Sequence, residues 1–367
     1  MVARVTLQTI ADKVGVSRMT VSNAFSRPDQ LSPTLRDKIL AVADELGYVG
    51  PDPAARALAK GTTGAVGVLL TESLRDAFTD EIATAFLGAI AEELTPTGLG
   101  LTLLTATTSG DLIPARDVAM DGALVYSCDP ESTAVDWLLR RKIPVVFVDQ
   151  VPADGIPAVN VDDRTGARAA AQHLVDLGHR HLGIVTSGVR GDHGRIADEE
   201  SMIDGYVANQ RIAGWLDALR PAGIEPTIVR LPHGRPENGY DGGRMLLAPP
   251  VPDPSQDGAT PPTGPRPTAV LCFSDALASG VVQAAQDLGL RVPEDVSVVG
   301  FDDSPLAARL RPPLTTVRQD VLAKGHAAAA ALTRAIASFR TDTPADPAHL
   351  RLPATLVVRA STAPPPA

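Results

Sequence analysis

From residue 66 to residue 300 the chain alternates short apolar runs with helical segments, a rhythm that admits few folds. The apolar runs, read as strands, fall at 66–70, 99–104, 122–126, 145–148, 182–186, 228–231, 269–273 and 296–300. Helical spacing fills most of the gaps, at 79–94, 131–140, 165–177, 211–219 and 275–288. Such alternation builds parallel sheets covered by helices on both faces, because each crossover helix buries its apolar stripe on the sheet it spans. The units are too many for one small sheet, so two doubly wound α/β lobes are expected. Ligands of open α/β sheets sit beyond the carboxyl ends of the strands. Two stretches break the rhythm: 187–209 is polar and glycine-rich, and 248–267 is dominated by proline and small residues. The second can form neither ladder nor helix and is expected to be a mobile surface loop. The tail 361–367, STAPPPA, is expected to be disordered.

The first 47 residues read differently, as three short helices. Thr6 can cap the first, which presents Leu7, Ile10, Ala11 and Val14 on one face before Gly15 breaks it. Ser17 can cap the second, with Val21, Ala24 and Phe25 turned inward. Ser32-Pro33 places a capping hydroxyl ahead of a proline at the first helical position. Leu35, Ile39, Val42 and Leu46 then recur at helical spacing until Gly47 closes the third helix. Two short helices joined by a tight glycine turn form the helix-turn-helix arrangement. The segment after it starts with Pro51 and Pro53 and can be helical over 54–59, but is too short to be stable alone. The expected domains are therefore 1–50, a linker at 51–63, a core at 64–360 and the tail.

The chain has 367 residues, enough for two or three domains. Its opening MVARVTLQTI lacks the apolar run of a signal peptide, and no stretch approaches the length of a membrane span, so a cytoplasmic location is expected. The two cysteines, Cys128 and Cys272, lie far apart and read as buried thiols. Net charge is −10, yet residues 1–61 carry eight Lys/Arg against six acids, leaving 25 bases and 37 acids for the rest. A mildly basic head on an acidic body suits a DNA-binding module on a core that phosphate repels. The seven histidines show no metal-ligand spacing, and no phosphate loop, dinucleotide fingerprint or nucleophile elbow is present. The adjacent acids Asp162-Asp163 and Asp302-Asp303 point to opposite faces of an extended chain and make poor acid/base pairs. No enzyme activity, cofactor or metal is expected.

In a helix-turn-helix the second helix enters the major groove and its first side chains meet base edges. Here it starts SRMTVSNAF. Arg18 can read guanine through two parallel hydrogen bonds, Met19 can touch a thymine methyl, and Ser22 and Asn23 lie one turn on, where Asn can pair with adenine. Ser17 and Thr20 have hydroxyls suited to phosphate. The same pattern also fits a generic three-helix unit with an exposed polar helix.

The stretch TLQTIADKVGVSRMTVSNAFSRPDQLSPTLRDKILAVADELGYVGPDPAARALAKGTTG resembles the whole DNA headpiece of the LacI family, hinge included. The likeness is specific because it spans some 60 contiguous residues, with GVS–TVS, the ELGY end of the third helix and the P-A-A-R-x-L hinge. It implies that hinge helices of two subunits pair and open the minor groove, with Leu58 the inserted leucine and Arg56 beside it. It places Arg18 and Met19 at the positions that set operator preference, and adds Thr6 to the DNA-facing set. Asn23 stands where the family usually has arginine.

The rest of the chain is similar to the family's core, through VNVDDRTGARAAAQHLVDLGHRHLGIV, QRIAGWLDAL, CFSDALASG, RVPEDVSVVGFDD and PPLTTVRQD. The implied fold is a periplasmic-binding-protein-like core of two lobes, three crossings and a ligand cleft between. Arg211 and Asp302 match the residues that hold the effector, and Asp149 matches a cleft residue at the lobe boundary. Ser274 stands where the family usually has asparagine. Arg211 can equally cap a helix or form a salt bridge, and Asp302 can be a turn residue. Thr71 and Phe78 follow the first strand at the cleft end, where Phe78 can stack on a ligand or join the core. The implied function is a transcriptional regulator, a repressor, that binds double-stranded operator DNA as a homodimer under the control of a small molecule, a sugar or sugar derivative. The tail lacks the heptads of a tetramerising coil, which favours a dimer. Two rival readings are a solute-binding protein, which should carry a signal peptide and no basic head, and a doubly wound enzyme, which should carry a catalytic motif.

Overall fold

The computed structural model describes residues 5–50, 52–70, 74–106, 112–128, 132–188, 192–196, 205–249, 265–343 and 347–366. Two compact units divide the chain, Met1–Gly64 and Ala65–Ala367.

The first unit holds α1 (Leu7–Val14), α2 (Arg18–Ser26), α3 (Pro33–Glu45) and α4 (Pro53–Lys60). Each starts on the cap its sequence announces. The Thr6 hydroxyl accepts from the Thr9 amide at 3.3 Å while Thr9 Oγ1 accepts from the Thr6 amide at 3.2 Å. Ser17 Oγ accepts from the Thr20 amide at 3.0 Å, and Ser32 caps α3 ahead of Pro33. Gly15, at φ 82, reverses the chain after α1 in a conformation that costs glycine nothing. Ile10, Ala11, Val14, Val21, Ala24, Ile39 and Ala43 form the core, and Phe25 meets Tyr48 edge-on at 5.7 Å. Helix α4 begins on the Asp52 carboxylate, which accepts from the Ala54 amide at 2.8 Å. None of its described side chains is buried, so intrinsic propensity and this cap are what favour it.

The second unit has two lobes. The first runs β1 (Ala65–Leu70), α5 (Asp76–Thr79), α6 (Glu81–Leu94), β2 (Gly100–Thr105), α7 (Pro114–Asp117), β3 (Ala123–Tyr126), α8 (Thr133–Arg140), β4 (Val145–Val148) and β5 (Ala158–Val161). The second runs α9 (Asp163–Asp176), β6 (Leu182–Ser187), β7 (Gly194–Ile196), α10 (Tyr206–Leu219), β8 (Thr227–Leu231), α11 (Pro236–Leu247), β9 (Ala269–Cys272), α12 (Asp275–Asp287), β10 (Ser297–Val299) and α13 (Pro305–Arg309). Then come β11 (Thr316–Gln319), α14 (Val321–Arg340), β12 (His349–Leu352) and β13 (Ala354–Val357). The first sheet has order β12-β5-β4-β3-β1-β2, all parallel. The second has order β10-β9-β6-β8-β7, parallel except for the edge strand β7. The antiparallel pair β11–β13 runs between them. The chain thus passes from lobe to lobe after β5, after β11 and between β12 and β13.

Several elements depart from the sequence reading. Strands β5, β7, β11, β12 and β13, the short helices α5, α7 and α13, and helices α11 and α14 lie outside the predicted set, and α10 begins at Tyr206 rather than at 211. The polar stretch 187–209 contains β7 and the first turn of α10. Most of the proline-rich stretch 248–267 lies outside the described residues. The tail is not the disordered end its composition predicts. Ser361 is fully buried, its hydroxyl donating to the Val298 carbonyl at 2.6 Å and accepting from the Thr315 amide at 2.8 Å. The Ala363 carbonyl meets His179 Nε2 at 2.9 Å and its amide donates to Ser297 Oγ at 3.0 Å. Backbone groups next to β10 need partners, and the small residues of the tail supply them without filling space.

Candidate functional site

The headpiece presents its candidate readers unevenly. Arg18 is exposed, and Met19 is 70% exposed on the first turn of α2. Ser17 and Thr20 are turned towards each other, their hydroxyls 2.8 Å apart. Their first task is to cap α2. Thr6 is likewise engaged in the cap of α1. Ser22 is half-buried, as is Asn23, whose side-chain amide donates to Gln30 Oε1 at 3.2 Å. On α4, Arg56 is exposed and Leu58 is 88% exposed, a bare apolar side chain on an alanine-rich helix.

At the junction of the core lobes, buried charges form one connected chain. Lys324, on α14, donates to Asp149 Oδ2 at 2.6 Å and to Gln319 Oε1 at 2.9 Å. Gln319 Nε2 donates to Asp302 Oδ1 at 2.7 Å. Arg211, on α10, reaches the same Asp302 oxygen at 3.3 Å, donates through Nε to Asp163 Oδ1 at 2.8 Å, and donates through Nη1 to the Phe273 carbonyl. Its guanidinium lies 3.6 Å from the Phe301 ring centroid and 4.6 Å from that of Phe273. Lys324 faces Tyr126 and Phe86, which stack on each other at 4.3 Å.

The ends of the strands explain this convergence. Asp149 directly follows β4 at φ 53, and Asp302 lies just beyond β10 at φ 110. Left-handed backbone at a non-glycine residue costs about 1–3 kcal/mol, and aspartate is among the residues that tolerate it. The turns aim both carboxylates into the junction. The neighbour Asp303 points away, to Arg318 at 2.6 Å and to Arg359, as the adjacency argument predicts. Burial pushes Asp302 up to about 6 against the pull of Arg211 and Gln319. Burial also raises Asp163, opposed by Arg211. Burial works against the Lys324 ammonium, but Asp149 outweighs it and holds the group above its usual value.

Asp275 sits beside this chain, at the start of α12. It accepts from the Ser304 amide at 2.7 Å and from Thr316 Oγ1 at 2.5 Å. Burial, helped by Asp302, pushes its carboxyl up to about 8, so it is largely neutral at pH 7. Asp275→Asn should therefore change stability by less than about 1 kcal/mol, whereas Asp275→Ala strands the Ser304 amide and should cost about 1–3 kcal/mol. Urea unfolding of the two variants at pH 7 checks this; equal losses would mean the carboxyl is charged.

Of the predicted effector set, the structure brings Arg211, Asp302 and Asp149 into one network. Ser274 is buried but serves as the cap of α12, accepting from the Leu277 amide at 3.2 Å. Phe78 is 68% exposed, which rules out the core alternative. Thr71 lies outside the described residues. Sequence reasoning missed Asp163, Gln319 and Lys324. The signal for Lys324 was present: it shares a helical stripe with Ala328, Leu332 and Ile336, all buried. A lysine in an apolar stripe demands a buried partner. Among the described residues no cluster of three or more His, Cys, Asp or Glu could hold a metal ion, and no helix is long and apolar enough to cross a membrane.

Residues 6–50 match the model of bacterial regulatory proteins of the lacI family, and residues 171–362 match that of a periplasmic binding protein-like domain. An HTH-type transcriptional regulator of Mycobacterium tuberculosis is 37% identical over 337 residues, covering 89% of each chain. The lac repressor dimer bound to operator and an anti-inducer is similar at a TM-score of 0.73 and 25% identity, over 98% of this chain and 99% of that one. The complex of the transcriptional regulator CelR with cellobiose is similar at a TM-score of 0.66 and 27% identity, over 98% of this chain and 100% of that one. These relatives are regulators rather than enzymes. An N-terminal helix-turn-helix followed by a periplasmic-binding-protein-like core of parallel sheets is the architecture this chain has in common with the lac repressor. The chain belongs to the LacI family of bacterial transcriptional regulators.

Proposed function

We propose that this regulator represses transcription by binding a roughly palindromic operator as a homodimer, and that a hydroxyl-rich small molecule, a sugar or sugar derivative, binds between its core lobes and releases it. Arg18 and Met19 would read the major groove, with Ser22 and Asn23 one turn on and Thr6, Ser17 and Thr20 on the phosphates. Leu58 and Arg56 would enter the minor groove. In the cleft, Arg211, Asp302 and Asp149 would hold the ligand, with Thr71, Phe78 and Ser274 as further candidate contacts.

The observation that carries this reading is the bonded chain Arg211–Asp302–Gln319–Lys324–Asp149, because it takes side chains from both lobes. A ligand that exchanges bonds with it changes the relative energy of open and closed lobes, and only such differential binding shifts an equilibrium. Coupling of this type is typically about 1–3 kcal/mol, roughly 5- to 150-fold in affinity. The operator complex of the lac repressor dimer and the cellobiose complex of CelR support the same two-site reading.

Selection from random duplex DNA with the intact protein tests it. An enriched palindrome is expected, and no enrichment at low salt by folded protein would overturn the operator reading. On the selected site, Leu58→Ala should lose the burial of a leucine between bases, about 1.5–3 kcal/mol or roughly 10- to 150-fold in affinity. Unchanged specific affinity would remove the minor-groove role.

A further inference from the structure

We propose that the C-terminal segment 360–366 is a detachable strap, closed over the edge strand of the second sheet by the neutral rings of His173 and His179 and opened by acid.

The strap has a definite seat. Strand β10 is an edge of its sheet, and the tail takes the hydrogen-bonding side that faces away from β9. The Val298 amide donates to the Ser361 carbonyl at 2.9 Å, and the Ser361 hydroxyl donates back to the Val298 carbonyl at 2.6 Å. Ser297 Oγ donates to the Ala363 carbonyl at 3.1 Å and accepts from the Ala363 amide at 3.0 Å. Left bare, such an edge is a template for another strand.

Two histidines hold the outer side of the strap, and each bonds it as a neutral ring. At His179 the Ala363 carbonyl can only accept, so Nε2 carries the hydrogen, at 2.9 Å. In the neutral ring Nδ1 is then bare, and it accepts from the Thr268 hydroxyl at 2.9 Å. At His173 the polarity is the reverse. The Arg359 amide donates to Thr315 Oγ1 at 2.9 Å. Thr315 is fully buried, and among the described residues the acceptor its hydroxyl reaches is Thr362 Oγ1, at 3.1 Å. Thr362 therefore donates to His173 Nε2, at 3.0 Å. A proton on that nitrogen sets two donors against each other, and one hydroxyl hydrogen of the chain loses its acceptor in a buried place.

The surroundings give the rings little compensating charge. His179 is 1% exposed, and the charged or titratable groups facing it are Arg180 and His173, both of which oppose a further positive charge. His173 faces Asp176 on its own helix, which is exposed and engaged by Gln172 at 2.7 Å. The strap brings no charged side chain, and Thr268, Ser297 and Thr315 beneath it are uncharged. Arg359, just before the strap, is bonded to Asp303 and to the Leu314 carbonyl. Burial therefore holds both rings below the ordinary histidine value, against Asp176 at one and the Ala363 carbonyl at the other. The closed strap keeps the neutral form, whereas an open one lets both rings titrate at about 6.5. The hold is full above that pH and weakens as pH falls below it.

Hydrogen exchange of the intact protein, followed amide by amide at pH 7.5 and pH 5 and corrected for the intrinsic effect of pH, tests the strap. The Val298 amide reports the strap, and the Ile184 and Val185 amides of the central strand β6 report the sheet. Each histidine freed to titrate favours the open form by up to roughly 30-fold at pH 5. Protection of Val298 is expected to fall at least about 10-fold, with β6 unchanged. Unchanged protection of Val298, or an equal loss in β6, overturns the proposal, and neither result needs a variant. His173→Gln offers an oxygen where the bare nitrogen was, and His179→Gln offers an amide donor to Ala363, both without a titrating ring. The double variant should keep Val298 protected at both pH values. A fall as large as in the parent protein would take the histidines out of the latch.

Discussion

Arg211→Ala is expected to abolish the ligand response and to lower the stability of the core by about 3–5 kcal/mol, the usual cost of removing one partner from a buried ion pair. The guanidinium is 4% exposed and is bonded to both Asp163 and Asp302, so its loss leaves two carboxylates in a dry site. Arg211→Lys should not rescue it, because an ammonium cannot span both acids or lie flat on Phe301. The penalty has a pH signature. Asp302 titrates near 6 in the folded protein and near 3.9 when unfolded, so between those values the folded state holds the extra proton. Stability from this group therefore falls as pH rises from about 4 to 6, and the deficit of Arg211→Ala should shrink as pH drops towards 6, because losing Arg211 raises Asp302 further and the variant takes up that proton first. The headpiece has its own core of Ile10, Val21 and Ile39 and should still bind DNA where the core remains folded. Denaturation between pH 5 and 8, with operator binding in the presence and absence of ligand, reads all three effects. A retained ligand response would show that Arg211 does not touch the effector.

What the sequence displayed was set by which interactions are local. Caps and periodicity are written in neighbouring residues, so Ser17, Ser32, Gly15 and Gly47 mark the helix ends that form. The parallel strands buried on both faces, such as β4 and β9, read as plain apolar runs. The missed strands lack that signature. Strand β12 pairs with β5, far away in sequence, and three of its four residues are exposed. Strand β13 finds its partner in β11 across the whole of α14. Helix α11 was hidden by its glycines at 239, 242 and 243, which predict a loop but are there to admit α12 and the side chains of Val185 and Leu231.

The site follows the same division. Arg211, Asp302 and Asp149 were accessible through family likeness, because the likeness concerns those positions directly. Asp163 was visible only as half of an adjacent pair, and nothing local distinguishes it from the exposed Asp162 except where the chain turns into α9. Lys324 and Gln319 belong to the network because β11 and α14 return to the junction from the end of the chain, a long-range fact. Ser274 shows the opposite error: a polar residue beside the cleft whose hydroxyl is already used by the helix it starts.

The close approach of α11 and α12 gives the largest packing effect. A Cβ on Gly280 falls within 3.0 Å of the Pro236 carbonyl and the Tyr240 amide, and one on Gly239 meets the Leu277 carbonyl just as closely. These obstacles are backbone, so no rotamer change relieves them. Overpacked cores lose about 1–3 kcal/mol where side chains can yield. Gly280→Ala should reach or exceed the top of that range, which is a large share of a typical stability of roughly 5–15 kcal/mol. The damage should also reach function. Pushing α12 away from α11 moves its first turn, where Ser274 caps the helix and Asp275 ties it to Thr316 and Ser304 beside Asp302. A weaker ligand response is therefore expected in whatever protein stays folded. Gly88→Ala is the matched control. It lies within α6, is exposed, and its added methyl meets nothing within 4 Å. Removing the backbone freedom of a mid-helix glycine should raise stability by about 0.5–1 kcal/mol. Thermal melts of the two variants should move in opposite directions. If Gly280→Ala melts with the parent protein, the two helices can separate without cost, and the link from their packing to the lobe junction fails.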